Sequence, residues 1–104
     1  MTAERLATLK NFLDDDPSDP FNHYTVALEY VSMQRFPEAI AEFERIFKID
    51  PNYVPAYHQL GLLYATLNRK EDALRVFEKG IGIAALVGDT HAQSEMQDAI
   101  DELG

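Results

Sequence analysis

Three histidines, His23, His58 and His91, are the residues of this chain best suited to metal ligation or proton transfer, and 18 Asp and Glu side chains supply further candidates. A zinc site on a helix needs a partner ligand at i+3 or i+4. None of the three histidines shows one, so each reads as a satisfied core or groove residue. The run Asp14-Asp15-Asp16-Pro17-Ser18-Asp19 offers oxygen ligands for Ca²⁺. It lacks the central glycine and distal glutamate that the helix-loop-helix calcium pattern requires. Asp19 instead suits the N-cap of a helix starting at Pro20, a residue preset for the first helical position. No serine sits in a nucleophile elbow, and Gly80 and Gly82 lie in helix-patterned sequence without the strand that precedes a phosphate loop. There are no cysteines, which removes disulfides, thiolate metal sites and cysteine nucleophiles. The expectation is therefore a protein that is not an enzyme, with no catalytic residues, no cofactor and no metal.

The elements carrying these residues are helical. In the segment 37–49, Ile40, Phe43, Ile46, Phe47 and Ile49 follow the spacing of one helix face, and no stretch alternates with period two for long. Breaks at Asp14 to Pro20, Gln34 to Pro37, Asp50 to Pro55, Asn68 to Lys70 and Gly88-Asp89 divide the chain into six predicted helices. They run roughly over 2–14, 20–33, 37–49, 54–67, 70–86 and 90–103. Asp89 is a suitable N-cap for the last of them.

The chain has 104 residues, of which 46% are apolar and 11% aromatic, enough for one core with little stability in reserve. Its formal charge is -9, and its nine Lys and Arg residues are scattered, so a phosphate backbone would be repelled and nucleic acid is not an expected partner. The amphipathic start "MTAERLATLKNFLDDD" is neither a signal peptide nor a membrane span, and a cytoplasmic, unanchored protein is expected.

Laid on itself with an offset of 34, the chain matches Pro17 to Pro51, Leu28 to Leu62, Tyr30 to Tyr64, Arg35 to Arg69, Ala39 to Ala73, Phe43 to Phe77, Glu44 to Glu78 and Ile49 to Ile83. A fixed period of this kind marks a repeated helix-turn-helix unit. The small residues Ala27 and Gly61, set against Ala39 and Ala73, would let paired helices approach closely, while Tyr30, Tyr64, Phe43 and Phe77 fill the volume around the crossing.

These residues resemble the tetratricopeptide repeat (TPR) family. The first repeat has His23, Val26, Ala27, Tyr30, Ala39, Phe43, Ile46 and Pro51 at the family's signature positions. The second has Tyr57, Leu60, Gly61, Tyr64, Ala73, Phe77, Gly80 and Ala85. The first departs at His23, where a large aromatic is usual, and at Ile46, where a small residue is usual; the second lacks only the closing proline. The resemblance implies an all-α fold of antiparallel helix-turn-helix repeats wound as a right-handed superhelix. It divides the chain into an N-terminal half-repeat over 1–19, repeats over 20–53 and 54–87, and a capping helix over 88–104, all in a single domain. On the capping helix Ala92, Met96, Ala99, Ile100 and Leu103 form an apolar stripe, while Ser94, Glu95 and Asp98 break the signature.

In the family, the first helix of each repeat lines a concave groove that holds peptides or helices of partners. Carried over by position, that face is Phe21, Tyr24, Leu28 and Val31 from one repeat and Pro55, His58, Leu62 and Ala65 from the next. The Lys and Asn with which some members grip a C-terminal carboxylate are replaced here by Tyr24, Leu28, His58, Gln59 and Leu62. The implied function is a protein-binding adaptor, scaffold or assembly module with a protein or peptide partner and no membrane or nucleic-acid role. The alternative is self-association, with the groove filled by a second copy in a homodimer.

Overall fold

The computed structural model describes residues 2–104; Met1, the first residue of the predicted half-repeat, lies outside them. Six α-helices and no strand occur among the described residues: α1 (Thr2–Asp15), α2 (Pro20–Ser32), α3 (Phe36–Ile49), α4 (Val54–Thr66), α5 (Lys70–Val87) and α6 (Thr90–Leu103). Each boundary falls within a residue of its expected place. The helices gather into two compact units that divide between Pro51 and Asn52.

In the first unit α2 packs against both α1 and α3. Leu6, Val26, Ala27, Tyr30, Ala39, Phe43 and Ile46 form its buried apolar core. Asp19 caps α2 through a 2.9 Å bond from the Phe21 N–H, with Pro20 in the first helical position. The end of α1 is closed by Asn22, whose side-chain amide donates to the carbonyls of Phe12 (3.3 Å) and Asp16 (3.0 Å). Asp16 in turn accepts from the Ser18 hydroxyl at 2.8 Å, so Asp16 and Asp19 of the acidic run bond locally in the α1–α2 connection, while Asp14 and Asp15 end α1.

In the second unit α5 packs against both α4 and α6, and α4 touches α6. Its core holds Tyr57, Leu60, Leu63, Ala73, Phe77, Ala84 and Met96. Gly61 does mark a close approach, but its nearest neighbours are atoms of the Phe77 ring rather than Ala73. A Cβ at Gly61 would lie 2.3 Å from that ring. Gly80 plays the same part on α5, where a Cβ would come 2.6 Å from Met96 Sδ and 2.7 Å from Tyr57 Cβ.

The turns inside the two hairpins are copies of each other. Gln34 and Asn68 adopt the left-handed conformation, with φ 59° and 60°. Arg35 N–H then reaches the Tyr30 carbonyl, and Arg69 N–H the Tyr64 carbonyl, each at 2.8 Å. This bonding closes the helix end by using carbonyls left without intrahelical partners. The arginine side chains fold back over the rings of Tyr30 (4.9 Å) and Tyr64 (4.5 Å). They also pair with Glu38 (2.7 Å) and Asp72 (2.8 Å) in the first turn of the next helix. The bond to Glu38 raises Arg35 above its usual range, and the bond from Arg69 holds the Asp72 carboxyl below its own.

The sequence period slips at α6. Helix α4 starts 34 residues after α2, but α6 starts 36 after α4. The buried residues Ala92 and Met96 accordingly correspond to Ala56 and Leu60. Ser94, Glu95 and Asp98, which a constant offset of 34 would place on the packed face, are exposed. The cause lies in α5: Ala85 stands where Pro51 closes the first repeat, and without that proline α5 runs for 18 residues against 14 in α3. It ends only at Gly88, at φ 78°, a conformation that glycine adopts without steric cost.

Candidate functional site

None of the eight residues expected to meet a partner is buried. On α2, Phe21 is 56% exposed and Tyr24, Leu28 and Val31 are half-buried. Their spacing along one helix puts them on a single stripe. On α4, Pro55 is exposed, Leu62 is 39% exposed, and His58 and Ala65 are half-buried, in the same spacing. The inward side of each helix holds the core residues that set the stripe's direction: Val26, Ala27 and Tyr30 on α2, and Tyr57, Leu60 and Gly61 on α4.

Each stripe is anchored from below by an aromatic contact at an equivalent position. Tyr24 meets Phe43 edge-on with ring centroids 6.4 Å apart, and His58 meets Phe77 at 6.5 Å. His58 therefore stands where its counterpart is a tyrosine, with its ring held against a buried phenylalanine.

Formal charge is absent from the exposed parts of both helices. Helix α4 contains no Asp, Glu, Lys or Arg, and α2 contains one, Glu29. Glu29 is buried and accepts from Arg5 Nε of α1 at 3.0 Å. In a chain with 26% charged residues, two uncharged helix faces that nonetheless reach solvent are a local departure.

Sequence reasoning missed one polar centre. His23 is buried, with Nδ1 2.8 Å from Glu42 Oε2 and Nε2 2.7 Å from the Pro17 carbonyl oxygen. Glu42, also buried, takes a second bond from Arg45. The departure at His23 from the family's large aromatic was the available signal, because a buried imidazole requires polar partners. The network joins the α1–α2 connection to α3 and leaves no buried side-chain donor or acceptor unpaired among the described residues.

One histidine reading is corrected. His91 has a carboxylate one helical turn on, and its Nε2 lies 3.3 Å from Glu95 Oε1 at the surface. No group of three or more His, Cys, Asp or Glu side chains among the described residues is placed to hold one metal ion. No described helix is long and apolar enough to cross a membrane.

Two helical hairpins, α2–α3 and α4–α5, each with an uncharged face on its first helix, define a helical repeat protein. The family description "TPR repeat" matches residues 27–68, and "Tetratricopeptide repeat" matches 54–85. A tetratricopeptide repeat domain protein from Salinibacter ruber, solved by NMR, is 39% identical, covering 85% of this chain and 89% of that one with a TM-score of 0.80. The TPR2B domain of yeast Sti1, solved in its pHsp70 complex, superposes with a TM-score of 0.91 over 98% of this chain and 82% of its own, and at 20% identity that likeness concerns the fold. A tetratricopeptide repeat and J domain-containing co-chaperone of Cryptococcus neoformans is 38% identical over 50 residues, 48% of this chain. The match spans about a tenth of that curated relative, 10% of its length. The chain belongs to the tetratricopeptide repeat family, and membership makes it a protein–protein interaction module.

Proposed function

We propose that the uncharged faces of α2 and α4 take up an apolar peptide or helix of a partner protein, through Phe21, Tyr24, Leu28 and Val31 and through Pro55, His58, Leu62 and Ala65. The observation that carries this reading is the repetition of the same solvent-reaching stripe, without Asp, Glu, Lys or Arg, on α2 and α4. Exposed apolar surface of this kind gains free energy when a complementary apolar face covers it. The stripes offer no Lys or Arg to a terminal carboxylate, so the reading favours an internal apolar segment of the partner. The module acts as an adaptor or scaffold and binds without making or breaking bonds.

The test is the double substitution Leu28→Glu with Leu62→Glu. Both side chains reach solvent, so helical circular dichroism should stay at the wild-type level. Partner capture should fall by about a hundredfold, since each lost anchor of about 1.4 kcal/mol is a factor of ten. Undiminished capture by a folded double variant would remove the stripes from the interface. Sedimentation of the isolated chain addresses the self-association alternative: a mass that grows with concentration, and is lost in the double variant, would make a second copy the occupant.

A further inference from the structure

His23 takes no part in the exposed stripes, and its surroundings fix how many protons it must hold. Its Nδ1 lies 2.8 Å from Glu42 Oε2 of α3, and its Nε2 lies 2.7 Å from the Pro17 carbonyl oxygen in the α1–α2 connection. A carbonyl oxygen only accepts, and Glu42 also accepts from Arg45, as a carboxylate does. Two hydrogen bonds across one ring therefore take two protons, whether both sit on the imidazole or one is shared with the carboxylate. A neutral imidazole beside an ionised Glu42 supplies only one, and the other ring nitrogen then points a lone pair at an oxygen. His23 and Glu42 are each 7% exposed, so little water reaches the contact to replace the lost bond.

The bridge is particular to the first repeat. At an offset of 34, the second repeat has Tyr57 and Val76 in place of His23 and Glu42. Helix α1, which leads into the bridged connection, has one buried side chain among the described residues, Leu6. Polar groups tie it down as well: Arg5 Nε meets Glu29 at 3.0 Å, Lys10 lies 5.6 Å from the Tyr30 ring centre, and the Asn22 amide donates to the Phe12 carbonyl. Of the carboxylates on α1, α2, α3 and the α1–α2 connection, Glu42 alone contacts the His23 ring among the described residues. Glu29 pairs with Arg5 and Glu38 with Arg35, while Asp16 accepts from Ser18 and Asp19 from the Phe21 N–H. Glu4, Asp14, Asp15 and Glu44 are exposed, as are the cations Lys10, Arg45 and Lys48.

We infer that the Pro17–His23–Glu42 bridge is a proton-operated latch on α1: with two protons it ties the α1–α2 connection to α3, and loss of one as pH rises frees the Pro17 carbonyl and loosens α1. The bond to Pro17 is the one released, because the charge of Glu42 holds the remaining proton on Nδ1. The sign follows from proton counts. The bridge binds two protons and an unfolded imidazole in alkali binds one, so the docking of α1 is firmest in mild acid and weakens as pH rises.

Long-range ¹H–¹⁵N spectra of the histidine rings in the full chain, recorded from about pH 6 to about pH 9, test this across the ordinary imidazole range. His91, whose side chain is 85% exposed, is the internal reference. Both nitrogens of His23 should read as N–H at pH values where His91 has already lost its second proton. Hydrogen-exchange protection of the α1 amides relative to those of α3 should fall about tenfold as the second proton leaves His23, the effect of one lost hydrogen bond. Glu42→Gln keeps the shape of the side chain and removes the need for that proton: its amide donates to Nδ1 and accepts from Arg45, while Nε2–H still donates to Pro17. In this variant His23 should titrate together with His91, and the protection of α1 should stay level with pH. In the wild type, loss of the second proton from His23 together with His91, or unchanged protection of α1 as that proton leaves, would each overturn the latch. So would an unaltered pH dependence in folded Glu42→Gln, and the wild-type spectra decide the matter without the variant.

Discussion

Gly61 and Gly82 both lie inside helices among apolar neighbours, yet the structure gives them opposite roles. A Cβ at Gly61 would stand 2.3 Å from the Phe77 ring, whereas a Cβ at Gly82 would meet nothing within 4 Å. Alanine gains about 1 kcal/mol of helix propensity over glycine at either site. At Gly61 that gain is set against overpacking of a fully buried ring, which costs about 1–3 kcal/mol. Gly61→Ala should therefore destabilise the protein, and Gly82→Ala should stabilise it by about 0.5–1 kcal/mol. Urea melts of the two variants check the signs, and a stabilised Gly61→Ala would mean that the Phe77 ring yields freely. The seam position of Gly61 is legible in the sequence because it repeats Ala27. Its neighbour is not, because Phe77 and Ala73 lie one turn apart on the same helix and only packing chooses between them. The pairing of His23 with Glu42 is hidden for the same reason, as the two are 19 residues apart and share no local pattern.

The helices and their turns follow from short-range rules. Asp19 and Asp89 cap α2 and α6 through bonds of 2.9 and 3.0 Å, as their positions before helical periodicity suggest. The equivalent hairpin turns at Gln34 and Asn68 arise from residues at the same place in a 34-residue period. The longer α5, expected over 70–86, departs from a constant period: its extra turn follows from the lost proline at Ala85 and leaves Leu86 73% and Val87 49% exposed. The α4–α5 turn carries a testable pH dependence. Asp72 bonds to Arg69 at 2.8 Å and Arg75 at 3.1 Å, chiefly the former lowering its carboxyl from the ordinary 3.8. A depressed carboxyl stabilises the fold while it is ionised in both states, and that contribution is lost as pH falls below 3.8 through the folded value. Asp72→Asn should thus be less stable than wild type near neutral pH, with the difference closing in acid. A gap in denaturation midpoint that stays constant with pH would show that the Arg69–Asp72 pair does not contribute.

At the level of the whole chain, 18 acids against nine bases leave net repulsion that exposed ion pairs do not offset. Raising NaCl from about 0.01 to about 1 M shrinks the Debye length from about 30 to about 3 Å. The melting temperature should rise by several degrees, since about 1 kcal/mol moves it by roughly 4–8 °C in a protein of this size. A fall would mean that the attractive pairs outweigh the net charge. Helix number, helix ends, the repeat and the uncharged faces of α2 and α4 were all written in the order of residues, because propensity, capping and periodicity act over one or two turns. Folding alone determined which carboxylates would be buried, which ring would lie under Gly61, and that His23 would meet Glu42. Each of these depends on residues distant in the chain meeting at short range, where burial and packing decide and no local pattern reports the outcome.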